Sequence, residues 1–127
     1  MAAVALAAGV FAFVQLDWTQ GLDRAYTLRD PEPVTEVAVA SGRALFREHC
    51  VACHGDRGRG NGPLASTLDP KPADLVLHVP QHTAGELFFM ISRGMPNSAM
   101  PAWGSVLTDR QRWQLVHYLA VLAAGDP

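Results

Sequence analysis

The chain is short of cysteine, of net charge and of low-complexity sequence. Two cysteines in 127 residues are too few for the disulfide framework that staples small secreted domains. A formal charge of −2 leaves no basic surplus, and a basic stripe is the usual footprint of nucleic-acid binding, so no nucleic-acid partner is expected. Charged residues make up 17% and hydrophobic ones 49%, which excludes a wholly disordered chain. There is no internal repeat. The length suits one domain with a core of its own.

Composition shifts along the chain. From Ala2 to Leu16 every residue except Gln15 is apolar or glycine, with Trp18 just beyond. A helix over that run spans roughly 22 Å, short of the roughly 30 Å hydrocarbon core of a bilayer. A secretory signal has an apolar region of this size, but no Lys or Arg precedes it and no small-x-small site follows. Residues 1–18 are therefore expected to form a membrane anchor helix, with Trp18 at the interface. A helix buried against a partner is the alternative. Residues 19–36 are expected to be a linker, with Asp23, Asp30, Glu32 and Glu36 against Arg24 and Arg29, and with Pro31 and Pro33 barring a helix. Residues 37–127 are left as the globular domain.

Three main helices can be placed within it, and the fold class is all-α. Thr35 can cap a first helix that runs to about His49, with Val37, Ala40, Ala44 and Leu45 expected on one face. Thr83-Ala84-Gly85-Glu86 fits a capping box, with Gly94 as the stop. Thr108 to Gln111 opens the last helix, Gly125 closes it, and Trp113, Val116, Leu119 and Leu122 recur at helical spacing. Gly55 to Pro80 is rich in Gly and Pro, without strand-like alternation. So long a loop in a compact domain suggests that it wraps around something.

Cys50-Val51-Ala52-Cys53-His54 is the strongest chemical signal. Two thiols three residues apart at a helix end can each add to a haem vinyl group, forming two thioethers. His54, the next residue, is then held where a ring nitrogen can ligate the iron. Half of a zinc site and a redox-active pair are the rivals. Zinc needs two further ligands at similar spacing, and a redox pair wants a βαβ context; the sequence offers neither.

A second axial ligand would come from the far side, and a methionine thioether suits it because it favours ferrous iron. Met90 falls within the second helix, where a core methionine is the plainer reading. Met95 and Met100 both precede proline in a loop, and composition does not choose between them.

At this point residues 37–123 resemble the class I c-type cytochromes. Gly42 and Phe46 stand eight and four residues before Cys50, where that family packs a glycine and an aromatic on its N-terminal helix. Leu115 and Tyr118 stand where its C-terminal helix crosses that pair. Gly62-Pro63-Leu64 is similar to the family's Gly-Pro turn, which implies that the Pro63 carbonyl accepts the hydrogen bond of the proximal histidine. Met100-Pro101-Ala102-Trp103 resembles its methionine loop, which implies Met100 as the axial ligand and Met95 as runner-up.

The resemblance implies a three-helix domain wrapped around one covalently attached haem c, bound through Cys50, Cys53, His54, Pro63 and Met100, with His54 and Met100 on the iron. Trp103, Leu64, Leu68, Leu75, Leu87, Ile91 and Leu107 are expected to line the crevice. Arg57, Arg59 and Lys71 are expected on a solvated face. His49, His78 and His117 receive no role, and His82 is kept only as an alternative iron ligand. With both axial positions filled by protein, no site is left for a small-molecule substrate, so electron transfer is expected rather than catalysis. The expected setting is the bacterial inner membrane, with the haem domain on the periplasmic side and redox proteins of a respiratory or photosynthetic complex as partners. A tethered or free shuttle serving several partners is the second reading. A haem enzyme or gas sensor is the third.

Overall fold

The computed structural model describes residues 23–125. Among them the secondary structure is entirely helical: α1 (Glu36–His49), α2 (Val51–His54), α3 (Leu75–His78), α4 (Ala84–Arg93) and α5 (Asp109–Ala123), with 3-10 turns at Ala65–Thr67, Val79–Gln81 and Trp103–Ser105. A helical stretch at 23–27 precedes them. The expected anchor, residues 1–18, lies outside the described residues, and no helix among the described ones is long and apolar enough to cross a membrane.

The long helices begin where local chemistry demands. The Thr35 hydroxyl accepts from the Ala38 N–H at 3.1 Å. Thr83 and Thr108 each close a capping box, their hydroxyls accepting from Glu86 and Gln111 N–H while those side chains accept from the threonine N–H at 2.6 and 2.9 Å. Each cap satisfies N–H groups that a helix start leaves unpaired, worth about 1 kcal/mol. Gly94, at φ 68°, ends α4 as expected. Inside the expected loop, Asp74 caps the single turn of α3 by accepting from Val76 N–H at 3.0 Å.

The domain is held by the crossing of α1 and α5. At Gly42 the backbones touch: a Cβ there would lie 1.9 Å from the Gln114 carbonyl oxygen and 2.9 Å from Tyr118 Cβ. One turn on, the Phe46 and Tyr118 rings meet at 5.3 Å between centroids. The buried cluster gathers Phe46, Leu87, Ile91, Trp113, Leu115, Val116, Leu119 and Leu122. Trp113 stacks on Phe88 with centroids 4.3 Å apart, a packing role. The crossing through Gly42 and Phe46 that the resemblance implied is present, whereas the face read from periodicity holds only at Leu45. Val37 is 76% exposed, and Ala40 and Ala44 are exposed as well, because α1 packs through Gly42 and Phe46 with Val39 and Leu45 beside them. Residues 23–32, expected within a linker, also pack on the domain: Ala25 is 1% exposed, and the Asp30 carboxylate accepts from His117 Nε2 of α5.

Candidate functional site

Cys50 sits at the junction of α1 and α2, its N–H still bonded to Phe46 O at 2.9 Å. The chain then makes one more turn and reverses. Gly60, Gly62 and Leu64 N–H groups return to the carbonyls of His54, Cys53 and Ala52 at 2.8–3.0 Å, satisfying the exposed carbonyl end of α2. This holds the whole motif rigid from behind.

His54 Nδ1 lies 3.1 Å from the carbonyl oxygen of Ala73. A carbonyl only accepts, so Nδ1 carries the proton and Nε2 keeps its lone pair for a metal. Burial lowers the imidazole's pKa, and the bond to Ala73 opposes that in part. The expected acceptor, Pro63, is corrected here. Pro63 is exposed, and Ala73 occupies the acceptor position because the segment before α3 is drawn against the glycine loop. Leu75 N–H bonds to Gly58 O at 2.7 Å. A Cβ on Gly60, which has φ +75°, would fall 2.5 Å from Pro72 O and 3.1 Å from Ala73 O. Only glycine lets the two strands of loop close on each other.

Two adjoining cavities of about 310 and 290 Å³ share Cys50, His54, Met95 and Met100 on their walls. Their sizes fall in the range of cofactor sites. Cys53 lines the second with Leu68, while Leu75, Leu87, Ile91, Leu115 and Leu119 make the first largely apolar. Trp103 lines both, its ring 4.9 Å from that of His49. Two expected lining residues are elsewhere. Leu64 is 50% exposed, and Leu107 is buried in the core without reaching either cavity.

Met100 is half-buried and packs against the core cluster, whereas Met95 is 41% exposed. The loop between α4 and α5 is tied so that the two are neighbours in space: Met95 N–H meets Met100 O at 3.4 Å, and Ser98 Oγ accepts from Met100 N–H at 3.2 Å. Met90, from α4, lines the first cavity too.

Both cysteines are free thiols. Burial, with a smaller contribution from Cys53, pushes the Cys50 thiol up to about 12. A reactive redox cysteine has its thiolate favoured, so this environment disfavours that rival. Among the described residues no cluster of His, Cys, Asp and Glu could hold a zinc ion. The donor set that remains is two cysteine sulfurs, one imidazole nitrogen and a thioether around an apolar slot. It fits a flat apolar group that carries iron and two vinyls.

The sequence missed His78, which lines both cavities, and gave His82 only a minor place although it lines the first. Their rings stack 5.9 Å apart, a pairing between two short elements that no spacing rule announces. Arg57, Arg59 and Lys71 are exposed as expected. Arg59 pairs with Asp74 at 3.4 Å, and Lys71 reaches the rim of the second cavity.

A helical domain with this motif at the crossing of its terminal helices defines a monohaem class I c-type cytochrome, a class that carries covalently attached haem c and passes electrons. Residues 37–119 match the family model described as cytochrome c oxidase, cbb3-type, subunit III, and the chain belongs to that family. It is similar to the cbb3-type cytochrome c oxidase subunit FixP of Bradyrhizobium diazoefficiens, 34% identical over 68% of this chain and 28% of the relative. It is also similar to one of the subunits of nicotinate dehydrogenase from Pseudomonas putida, 29% identical over 76% of this chain and 8% of the relative. The chain thus spans a minor part of either. A solved chain of the Kuenenia stuttgartiensis reducing HAO-like protein complex superposes with a TM-score of 0.64 at 29% identity, over 77% of this chain and 53% of that one.

Proposed function

We propose that Cys50 and Cys53 bind haem c through two thioethers, that His54 Nε2 and Met100 Sδ are its axial ligands, and that the chain transfers electrons as a subunit of a membrane complex. The observation that carries the reading is the meeting of Cys50, His54 and Met100 on the walls of one apolar slot. When bound, the group supplies one-electron exchange between ferric and ferrous iron. The chain's own residues do the rest. Ala73 holds the imidazole proton on Nδ1, so that Nε2 stays a neutral donor. Met100 offers a soft thioether that favours the ferrous state. Leu87, Ile91, Leu115 and Leu119 exclude water, which keeps the reorganisation on electron exchange small.

The membrane complex draws support from the named relatives, an oxidase subunit and a member of a multiprotein complex. Residues 1–18 would serve as an anchor that holds the haem domain on the periplasmic face of a bacterial inner membrane. Mass spectrometry of the denatured chain tests attachment. Wild type should carry one haem, whereas Cys50→Ala with Cys53→Ala should carry none; an unmodified wild-type mass from a cell able to attach haem would defeat the reading. Mild detergent extraction tests the complex, because a chain released alone rather than with larger subunits contradicts it.

A further inference from the structure

We propose that residues 23–32 are a strap that mounts the haem crevice in one orientation on the upstream chain, making this a fixed relay within an assembly and not a swinging tether. The proposal rests on the crevice assignment above for what it orients, but the strap itself is visible without it.

The strap grips two helices. On α4, a Cβ at Gly85 would fall 2.2 Å from Ala25 O and 2.6 Å from Leu28 O, so the strap's backbone lies directly on the helix. Ala25 is buried, and Tyr26 is near enough to the Glu86 carboxyl to help lower its pKa. On α5, His117 donates from Nε2 to the Asp30 carboxylate. His117 is only 3% exposed, and its Nδ1 has no partner among the described residues. Asp30 is thus the group that meets this buried imidazole, and without its charge that hydrogen bond is weakened inside the protein. Asp30 also accepts from Glu32 N–H at 2.8 Å, which sets the turn through Pro31, and Glu32 reaches Arg110 at 3.5 Å.

The geometry places the strap behind the crevice. Gly85 and Leu87 are two residues apart, as are His117 and each of Leu115 and Leu119. Two residues turn a helix by about 200°. Leu87, Leu115 and Leu119 line the cavity, so the strap holds the outer faces of the two helices whose inner faces form its walls. A flexible linker over 19–36 would let its ends wander about 23 Å apart, root mean square. With 23–32 bound to α4 and α5 most of that slack is gone, and the direction in which the chain leaves the domain is set. A shuttle that visits several partners needs the slack; a subunit that hands electrons along one path does not.

Trypsin reads the strap directly, because Arg24 and Arg29 lie within it and cleavage requires the backbone to open. The full-length haem-loaded chain is digested and the cuts after both arginines are timed by mass spectrometry. Asp30→Asn removes the charge that holds His117, and Gly85→Ala separately inserts a Cβ under the strap. Both should be cut at least about tenfold faster than wild type, since cleavage follows the population of the open form. Wild type cut as fast as both variants overturns the proposal. A nitroxide on Thr27→Cys should lie at one narrow distance from the ferric iron, and at a broad spread once Asp30→Asn is added; a broad spread without it also overturns the mount. Cleavage does not depend on the iron, whereas a wild type lacking the haem spectrum defeats the crevice assignment, so the two failures are told apart.

Discussion

His54 and Ala73 are nineteen residues apart in the chain, and their Nδ1 and carbonyl oxygen meet at 3.1 Å. The contact joins the end of the Cys-x-x-Cys-His motif to the segment that enters α3. It fixes the tautomer of the imidazole, and it is built on the close approach of Gly60 to Pro72 and Ala73. The second half of the glycine-rich loop is thus the part that orients the His54 ring.

Gly60→Ala should disturb that aim. The new Cβ must push Pro72 and Ala73 away, which weakens the bond to Nδ1–H and lowers the basicity of the imidazole. A less basic ligand stabilises ferric iron less. The reduction potential should rise, on the order of 20–60 mV for a one-electron couple that moves 59 mV per tenfold change. Potentiometric titration of the variant checks this, and an unchanged or lower potential contradicts it.

Gly42 carries the helix crossing. With 1.9 Å between a Cβ and the Gln114 carbonyl, Gly42→Ala must separate α1 from α5 and loosen Phe46 against Tyr118. Overpacking of this kind costs about 1–3 kcal/mol, and each kcal/mol lowers Tm by about 4–8 °C in a domain of this size. Thermal unfolding followed by circular dichroism should show the drop, while Ala44→Gly on the exposed face of α1 should cost no more than about 1 kcal/mol.

Glu86 links pH to the start of α4. Its pKa is lowered first by the Thr83 N–H, with further help from the Thr83 hydroxyl, His82 and Tyr26. The folded value lies below the unfolded one, so the contribution is present above about 4.5 and fades as the pH falls below it. Wild type should melt higher than Glu86→Gln at pH 7, by no more than a few degrees because the group is near the surface. The difference should shrink as the pH falls below about 4.5 and be lost once the folded-state carboxyl is protonated. A gap that persists in acid would contradict the charge-based cap.

The caps at Thr35, Thr83 and Thr108 were legible because capping is local chemistry, written within four residues. The motif from Cys50 to His54 was legible for the same reason. The crossing at Gly42 and Phe46 was legible from the resemblance, but the periodic reading of the α1 face was not, because a glycine at a crossing adds nothing to a hydrophobic period. The resemblance implied the backbone carbonyl of Pro63 as acceptor, and the structure uses that of Ala73; every residue has such a carbonyl, so side-chain identity does not say which one is used. Asp30 and His117 are 87 positions apart, so no window of sequence could pair them. Local signals thus located the residues proposed as ligands, and long-range backbone contacts decide what orients the His54 ring.

Axial ligation by His54 and Met100 is tested most directly by the absorption spectrum of the oxidised protein. A methionine–iron charge-transfer band should be present in wild type, absent in Met100→Ala and retained in Met95→Ala. Loss of the sulfur ligand should also lower the reduction potential, on the order of 100 mV or more within the roughly 0.8 V span that axial ligands set. A band that survives Met100→Ala but disappears in Met95→Ala would contradict the account.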